Sequence, residues 1–290
     1  MMMKHIFLSI SVVLLFLLSG CKPTTPTAQP LQVMSFNIRL DVSSDSLNAW
    51  AYRKANVGKL LAYYAPDLLG MQEVLPNQMQ DLKQLLPQYT ALGVGRDDGK
   101  DQGEYSPVFF RTDRFDLLKS GNFSLSQQPD SFGILGWDAA CNRVCTWALL
   151  RDKQSGREVA YFNTHLDHIG VTARREGSRL ILERLQEIAP DVPAIITGDF
   201  NCPPDDEPAR VLTEGGMLNA WTSADVAYGP DWSFHDFGRL PLAERSLLDY
   251  VFITPQLKAT RCRVIQDTPA EGYYSDHCPV LAELTFLTPQ

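Results

Sequence analysis

The chain has 290 residues, 44% of them hydrophobic and 21% charged, with 26 Lys and Arg against 34 Asp and Glu. That length and apolar share suit one large α/β domain able to bury a substantial core. The formal net charge of −8 argues against broad binding to DNA or RNA, which relies on basic surface, although a divalent cation held by some of these acids would change the local sign.

In chain order, Lys4 and His5 precede an apolar run from Ile6 to Leu18. The run has the length of a signal-peptide core and is too short to span a bilayer comfortably. Leu18, Ser19, Gly20 and Cys21 follow and resemble a bacterial lipobox; an ordinary secretory signal with an incidental Cys is the alternative. Residues 1–20 are therefore read as a lipoprotein signal peptide, 21–30 as the lipidated Cys21 and a Pro/Thr-rich flexible tether, and 31–290 as the folded domain. Acyl chains contributing ~0.8 kcal/mol per buried methylene would anchor a monomer to the membrane of the bacterial cell envelope, at the periplasmic face or the cell surface.

Beyond the tether, strands and helices alternate. Strands are expected over Leu31–Ile38, Asp67–Val74, Pro107–Phe110, Phe115–Lys119, Val144–Arg151, Glu158–His165, Pro193–Thr197, Leu247–Thr254, Ala259–Gln266 and Val280–Phe286. Helices are expected over Trp50–Tyr64, closed by Pro66, over Pro76–Leu86, opened by its proline, over the amphipathic Thr172–Ile188, and over Glu207–Thr213. Gly93–Glu104 reads as a polar, mobile loop. Five cysteines lie past Cys21 and none forms a Cys-x-x-Cys pair, which disfavours a thiolate zinc site. Cys202 and Cys278 read as small buried hydrophobes, with neighbours across one site as the alternative.

The polar residues that matter stand where these strands stop: Asn37 in Ser-Phe-Asn, Glu73 in Met-Gln-Glu, Asp199 and Asn201 in Gly-Asp-Phe-Asn, and Asp276 and His277 in Ser-Asp-His. His165 ends Asn-Thr-His, and Asp249 interrupts Leu-Asp-Tyr-Val-Phe. Carboxylates, carboxamides and imidazoles at several strand ends make a polar site on a rigid scaffold. Hard oxygen ligands there favour magnesium or manganese over zinc.

Six such segments in this order, from Met34-Ser35-Phe36-Asn37 to Ser275-Asp276-His277-Cys278-Pro279-Val280, resemble the endonuclease/exonuclease/phosphatase superfamily over nearly all of the mature chain. The resemblance implies an α/β fold, a four-layered sandwich of two mixed β-sheets packed face to face with helices outside. It also implies magnesium-dependent hydrolysis of a phosphoester. Glu73 would be the chief metal ligand, with Asn37 and Asp276 supporting the shell. Asp199 could take a proton from the attacking water and Asn201 position it, since a spacing of two in extended chain points both side chains one way; an Asx turn is the plainer reading. His277 and Asp249 would pair, the carboxylate fixing the tautomer and favouring the charged imidazole. A carboxylate inside an apolar strand is costly unless paired.

His165 resembles the deoxyribonuclease and sphingomyelinase branches, and Arg39 the deoxyribonuclease branch, rather than the abasic-site enzymes. His165 would protonate the leaving oxygen or hold a phosphate oxygen, and Arg39 would contact phosphate. His168, Arg174 and Arg175 lie where a helix begins and could bind phosphate, or form a solvated face. Arg143 and Trp137 could border the pocket. His235, in the stretch Trp232–Phe237, could stack on a base, a lipid or a sugar. The expectation is an exported metal-dependent phosphoesterase acting on a phosphomonoester or phosphodiester, with a small or lipid-linked substrate. A deoxyribonuclease-like nuclease is the alternative, and a non-catalytic surface binding module a third.

Overall fold

The computed structural model describes residues 29–287; the signal peptide, Cys21 and the tether up to residue 28 lie outside them. Thirteen strands are described: β1 Leu31–Asn37, β2 Leu68–Gln72, β3 Tyr89–Leu92, β4 Val108–Arg111, β5 Phe115–Ser124, β6 Val144–Asp152, β7 Glu158–His165, β8 Ala194–Asp199, β9 Leu218–Asn219, β10 Val226–Tyr228, β11 Asp249–Ile253, β12 Leu257–Val264 and β13 Val280–Phe286. Five helices join them: α1 Trp50–Tyr64, α2 Pro76–Leu85, α3 Val171–Ile188, α4 Glu207–Glu214 and α5 Ala220–Ser223.

The strands form two sheets, β10-β12-β13-β1-β2-β4-β3 and β5-β6-β7-β8-β11-β9. Both are mixed: β1–β2, β10–β12 and β7–β8 run parallel, and the other pairs antiparallel. β1 shows how sequence builds the layers. Leu31 and Val33 face the core between the sheets, while Met34 and Phe36 join the cluster under α1 and α2. Those helices cover the outer face of the first sheet through Val57, Leu60, Leu61 and Leu82. On the second sheet α3 supplies Ile181 and Leu185. The result is the expected four-layered sandwich.

A polar seam runs between the sheets. Asn163 on β7 donates to the carbonyls of Met71 (2.7 Å) and Pro107 (2.9 Å) and accepts from Gln72 (2.7 Å) and Thr197 (3.0 Å). Gly70 faces it, and a Cβ there would run into the Thr197 and Asn163 side chains. Each polar atom of the Asn163 side chain is thus paired, and the seam ties β2 to β7 and β8.

The strand pattern differs from expectation in three places. β5 extends to Ser124 because its register shifts between Leu117 and Lys119, which breaks the alternation that would have marked its second half. β3, β9 and β10 have four, two and three residues, too few to show a period. Residues 93–104, expected as a loop, form a hydrogen-bonded turn: Gly95 N bonds Lys100 O, Asp97 N bonds Gln102 O and Arg96 N bonds Glu104 O, each at 3.0 Å. The five described cysteines are free thiols, and all but Cys141 are buried.

Candidate active site

The two sheets end together. In the second, His165, Asp199 and Asp249 stand side by side on β7, β8 and β11, His165 paired with Asp199 and Asp199 with Asp249. In the first, Asn37 pairs with Gln72, and Glu73 follows directly. Asn37 joins the sheets: its amide nitrogen donates to Glu73 Oε1 (3.0 Å) and Asp199 Oδ2 (2.9 Å). The loop before β13 adds Asp276 and His277. Buried Arg53, from α1, fixes it by donating to the carbonyls of Ile38 (2.8 Å) and Tyr274 (2.7 Å). Arg39, Glu73 and Asn201 have φ of 60°, 61° and 49°, a left-handed conformation that costs non-glycine residues energy and gathers at functional sites.

A cavity of about 360 Å³ opens here. Glu73, Asp276, Asp199, Asn201, His165 and His277 line it, with Arg39, Arg143 and His168. Asn37 and Asp249 are buried just behind. His277 Nδ1 lies 2.7 Å from Asp249 Oδ2, which also accepts the Ser233 hydroxyl at 2.6 Å. Burial alone would lower the His277 pKa, but Asp249 and Asp199 outweigh it and raise it to about 10. Burial, then the charge of Asp249, lifts Asp199 to about 7 against the pull of His277 and Asn37. His165 is driven well below its usual value by burial and by Arg143, Arg96 and His277. Burial raises Asp276, with Glu73 adding to the effect.

This crowding of acids is what a divalent cation relieves, and Glu73 and Asp276 are the carboxylates placed to hold one. Asp199, Asp249 and His277 also cluster closely enough to bind metal; His277 and Ser233 take Asp249 Oδ2, and Oδ1 is left without a partner. A second cluster, Cys141, Asp167 and His168, stands at the rim. There Asp167 accepts the amides of Ala140, Cys141, Ile169 and Gly170, which makes it a structural anchor.

Several sequence-based assignments need correction. Asn37 accepts the Arg39 amide on its oxygen (2.9 Å) and donates from its nitrogen to two carboxylates, which orients Glu73. Arg39 forms a two-point pair with Asp45 (2.9 and 3.1 Å) and lies 3.9 Å from Glu73 and 3.8 Å from Asp276. Its charge balances these acids, and it lines the cavity. Asn201 departs from extended chain, and its amide accepts the plainer role by bonding Asp199 Oδ1 (2.9 Å) in an Asx turn; its side chain still reaches His165 Nε2 (2.9 Å).

Arg174 is outside the cavity lining, bonded to the Asp167 carbonyl (3.0 Å). At the start of α3, Asp138 takes the amides of Ala173 (2.7 Å) and Thr172 (3.2 Å), which withdraws both from phosphate. Trp137 sits in a left-handed turn away from the cavity, its amide bonded to Gln127. His235 lines a separate cavity of about 150 Å³ with Trp232 and Tyr273. Its neighbour Phe234 faces the site instead, 4.8 Å from the His277 ring.

Sequence reasoning missed Arg96 and Glu104, which line the cavity from the 93–104 turn. The one signal was charge pressed between glycines just before a strand. It gains meaning only once β3 and β4 are known to join the sheet that carries Glu73.

A sandwich with this edge defines a class of metal-assisted phosphoester hydrolases. The chain belongs to the Endonuclease/Exonuclease/phosphatase family, which it matches over residues 34–277. It is similar to a Bacteroides vulgatus endonuclease/exonuclease/phosphatase structure, 42% identical with a TM-score of 0.86, covering 89% of this chain and 99% of that one. It is also similar to a Bacteroides thetaiotaomicron mannosyl-6-phosphatase, 36% identical with a TM-score of 0.84, over 88% of this chain and 100% of that one. Human nocturnin is 25% identical over 92% of this chain and 67% of its own length, and Drosophila melanogaster nocturnin 24% over 83% and 42%.

Proposed function

We propose that this chain is a magnesium- or manganese-dependent phosphoesterase that hydrolyses a small or lipid-linked phosphoester at the bacterial cell envelope. The observation that carries the reading is one cavity lined by two candidate metal-binding acids, Glu73 and Asp276, a carboxylate titrating near neutrality, Asp199, and a charged imidazole, His277. When bound, the metal ion supplies Lewis acidity to a phosphoryl oxygen.

Asp199 takes a proton from the attacking water, whose oxygen bonds to phosphorus as the ester P–O bond breaks. A base titrating near the working pH suits that step. His277, kept cationic by Asp249, stabilises charge building on the phosphoryl oxygens. His165, neutral at pH 7, holds an oxygen and does not act as a cationic acid. The leaving alkoxide takes its proton from solvent or from Asp199.

The size of the cavity and the acidic charge support a small substrate over a duplex, and the likeness to a mannosyl-6-phosphatase supports a sugar-borne phosphate. Placement at the envelope rests on the sequence around Cys21. The test is a panel with magnesium: hexose 6-phosphates, inositol phosphates, sphingomyelin, plasmid DNA and RNA. Release of inorganic phosphate from a small ester is expected. Nucleic acid cleaved with the highest kcat/KM of the panel would overturn this substrate class in favour of a nuclease.

A further inference from the structure

One end of the cavity is walled by Arg96, Glu104, Arg143 and His165 and is closed behind them by a crevice too narrow for water; of these four the reaction above uses His165 alone. Glu104 holds Arg96 in a two-point ion pair, Nη1 to Oε2 at 2.8 Å and Nη2 to Oε1 at 2.7 Å. Arg143 is held by Asp167 (3.4 Å) and by His168 Nδ1 (3.0 Å). Each guanidinium keeps one donor over. Arg96 Nε and Arg143 Nη1 are buried without a partner, and so is His165 Nδ1.

Buried donors without an acceptor are costly and rare. Three belonging to residues that wall one end of the cavity point to an acceptor that arrives with the ligand. Two guanidiniums and an imidazole match an oxyanion with several terminal oxygens. A phosphomonoester brings three such oxygens and up to two charges. A diester brings two oxygens, one charge and a second ester arm, for which the closed end has no room.

We propose that Arg96, positioned by Glu104 and acting with Arg143, makes this end a terminal-phosphate pocket and selects phosphomonoesters. The proposal rests on the phosphoesterase reading above. The test compares 4-nitrophenyl phosphate with bis(4-nitrophenyl) phosphate at saturating magnesium, for the wild type, Arg96→Lys and the double variant Arg96→Met/Glu104→Gln. Arg96→Lys keeps a cation beside Glu104 and loses Nε, so it carries the test if the double variant does not fold.

The wild type should prefer the monoester. Both variants should lose about 10- to 100-fold in kcat/KM on it, the worth of one charge-assisted hydrogen bond, mostly through KM. Loss on the diester should be smaller, so the preference shrinks, and inorganic phosphate should inhibit the variants more weakly. Equal losses on both substrates, no loss at all, or a wild type that prefers the diester would overturn the selectivity role. A folded wild type inactive on both esters would bring down the phosphoesterase reading itself, and this proposal with it.

Discussion

Asp249 is a carboxylate at the start of a buried strand of Tyr, Val, Phe and Ile, with its charge met by His277 and the Ser233 hydroxyl. Positioned acid–base and electrostatic help of this kind contributes about 10²–10⁴-fold in rate. His277→Ala and Asp249→Asn should each lose turnover on that order. Because the two side chains act as a unit, the double variant should fall to a similar rate and not to the product of the two losses. Turnover per folded molecule for the three variants is the measurement. Fully additive losses would show that the residues work separately.

At the scale of elements, the turn from β7 into α3 depends on Asp167. Its burial favours the neutral acid, but amides from Gly170, Ala140 and Ile169, and then Arg143, win and hold it down to about 2. A depressed carboxylate stabilises the fold above its ordinary value of 3.8 and loses that contribution as pH falls toward about 2. Asp167→Asn should therefore cost about 1–3 kcal/mol in denaturant melts at pH 7, the usual penalty for stranding buried donors. The gap between variant and wild type should narrow between pH 4 and pH 2. A gap independent of pH would mean that shape, not charge, anchors the turn.

The same scale shows what the sequence could reveal. Glu73, Asp199, Asp249 and His277 were legible because each is a costly polar group at the end or inside of an apolar strand, and strands of five or more residues show their period. Arg174 misled because a cation near a helix start looks free until its partner, the Asp167 carbonyl, is brought in by folding. Arg96 and Glu104 were hidden for the opposite reason. Their turn carries no period, and its place beside His165 follows from sheet order alone.

For the whole molecule, the proposed metal requirement and the proposed membrane attachment are the two dependences to test. Activity should vanish in EDTA and return with magnesium or manganese. A metal at 100 times its Kd should also stabilise the fold by about 2.7 kcal/mol, visible in thermal melts without any substrate. Glu73→Gln keeps the shape and removes the charge, so calorimetry should show much weaker metal binding. Full activity in EDTA, or unchanged binding by Glu73→Gln, would overturn that ligand. Among the described residues no helix is long and apolar enough to cross a membrane; the proposed attachment is through Cys21. Cys21→Ser should leave the membrane fraction or fail to mature; normal processing with unchanged fractionation would exclude lipidation there.

His165, Asp199 and Asp249 share one row of the second sheet's hydrogen-bond ladder. A slip of one residue in β8 would turn Asp199 to the opposite face along with every apolar neighbour. The spacing of the reactive groups is thus inherited from backbone pairing that thousands of sequences can satisfy, and core substitutions have little leverage on it. Arg96, by contrast, hangs on a turn outside the ladder. Chemistry and selectivity are mechanically separate, so replacing residues 93–104 by a turn from a relative is a graft that should redirect the enzyme to another phosphate while leaving its manner of cleavage intact.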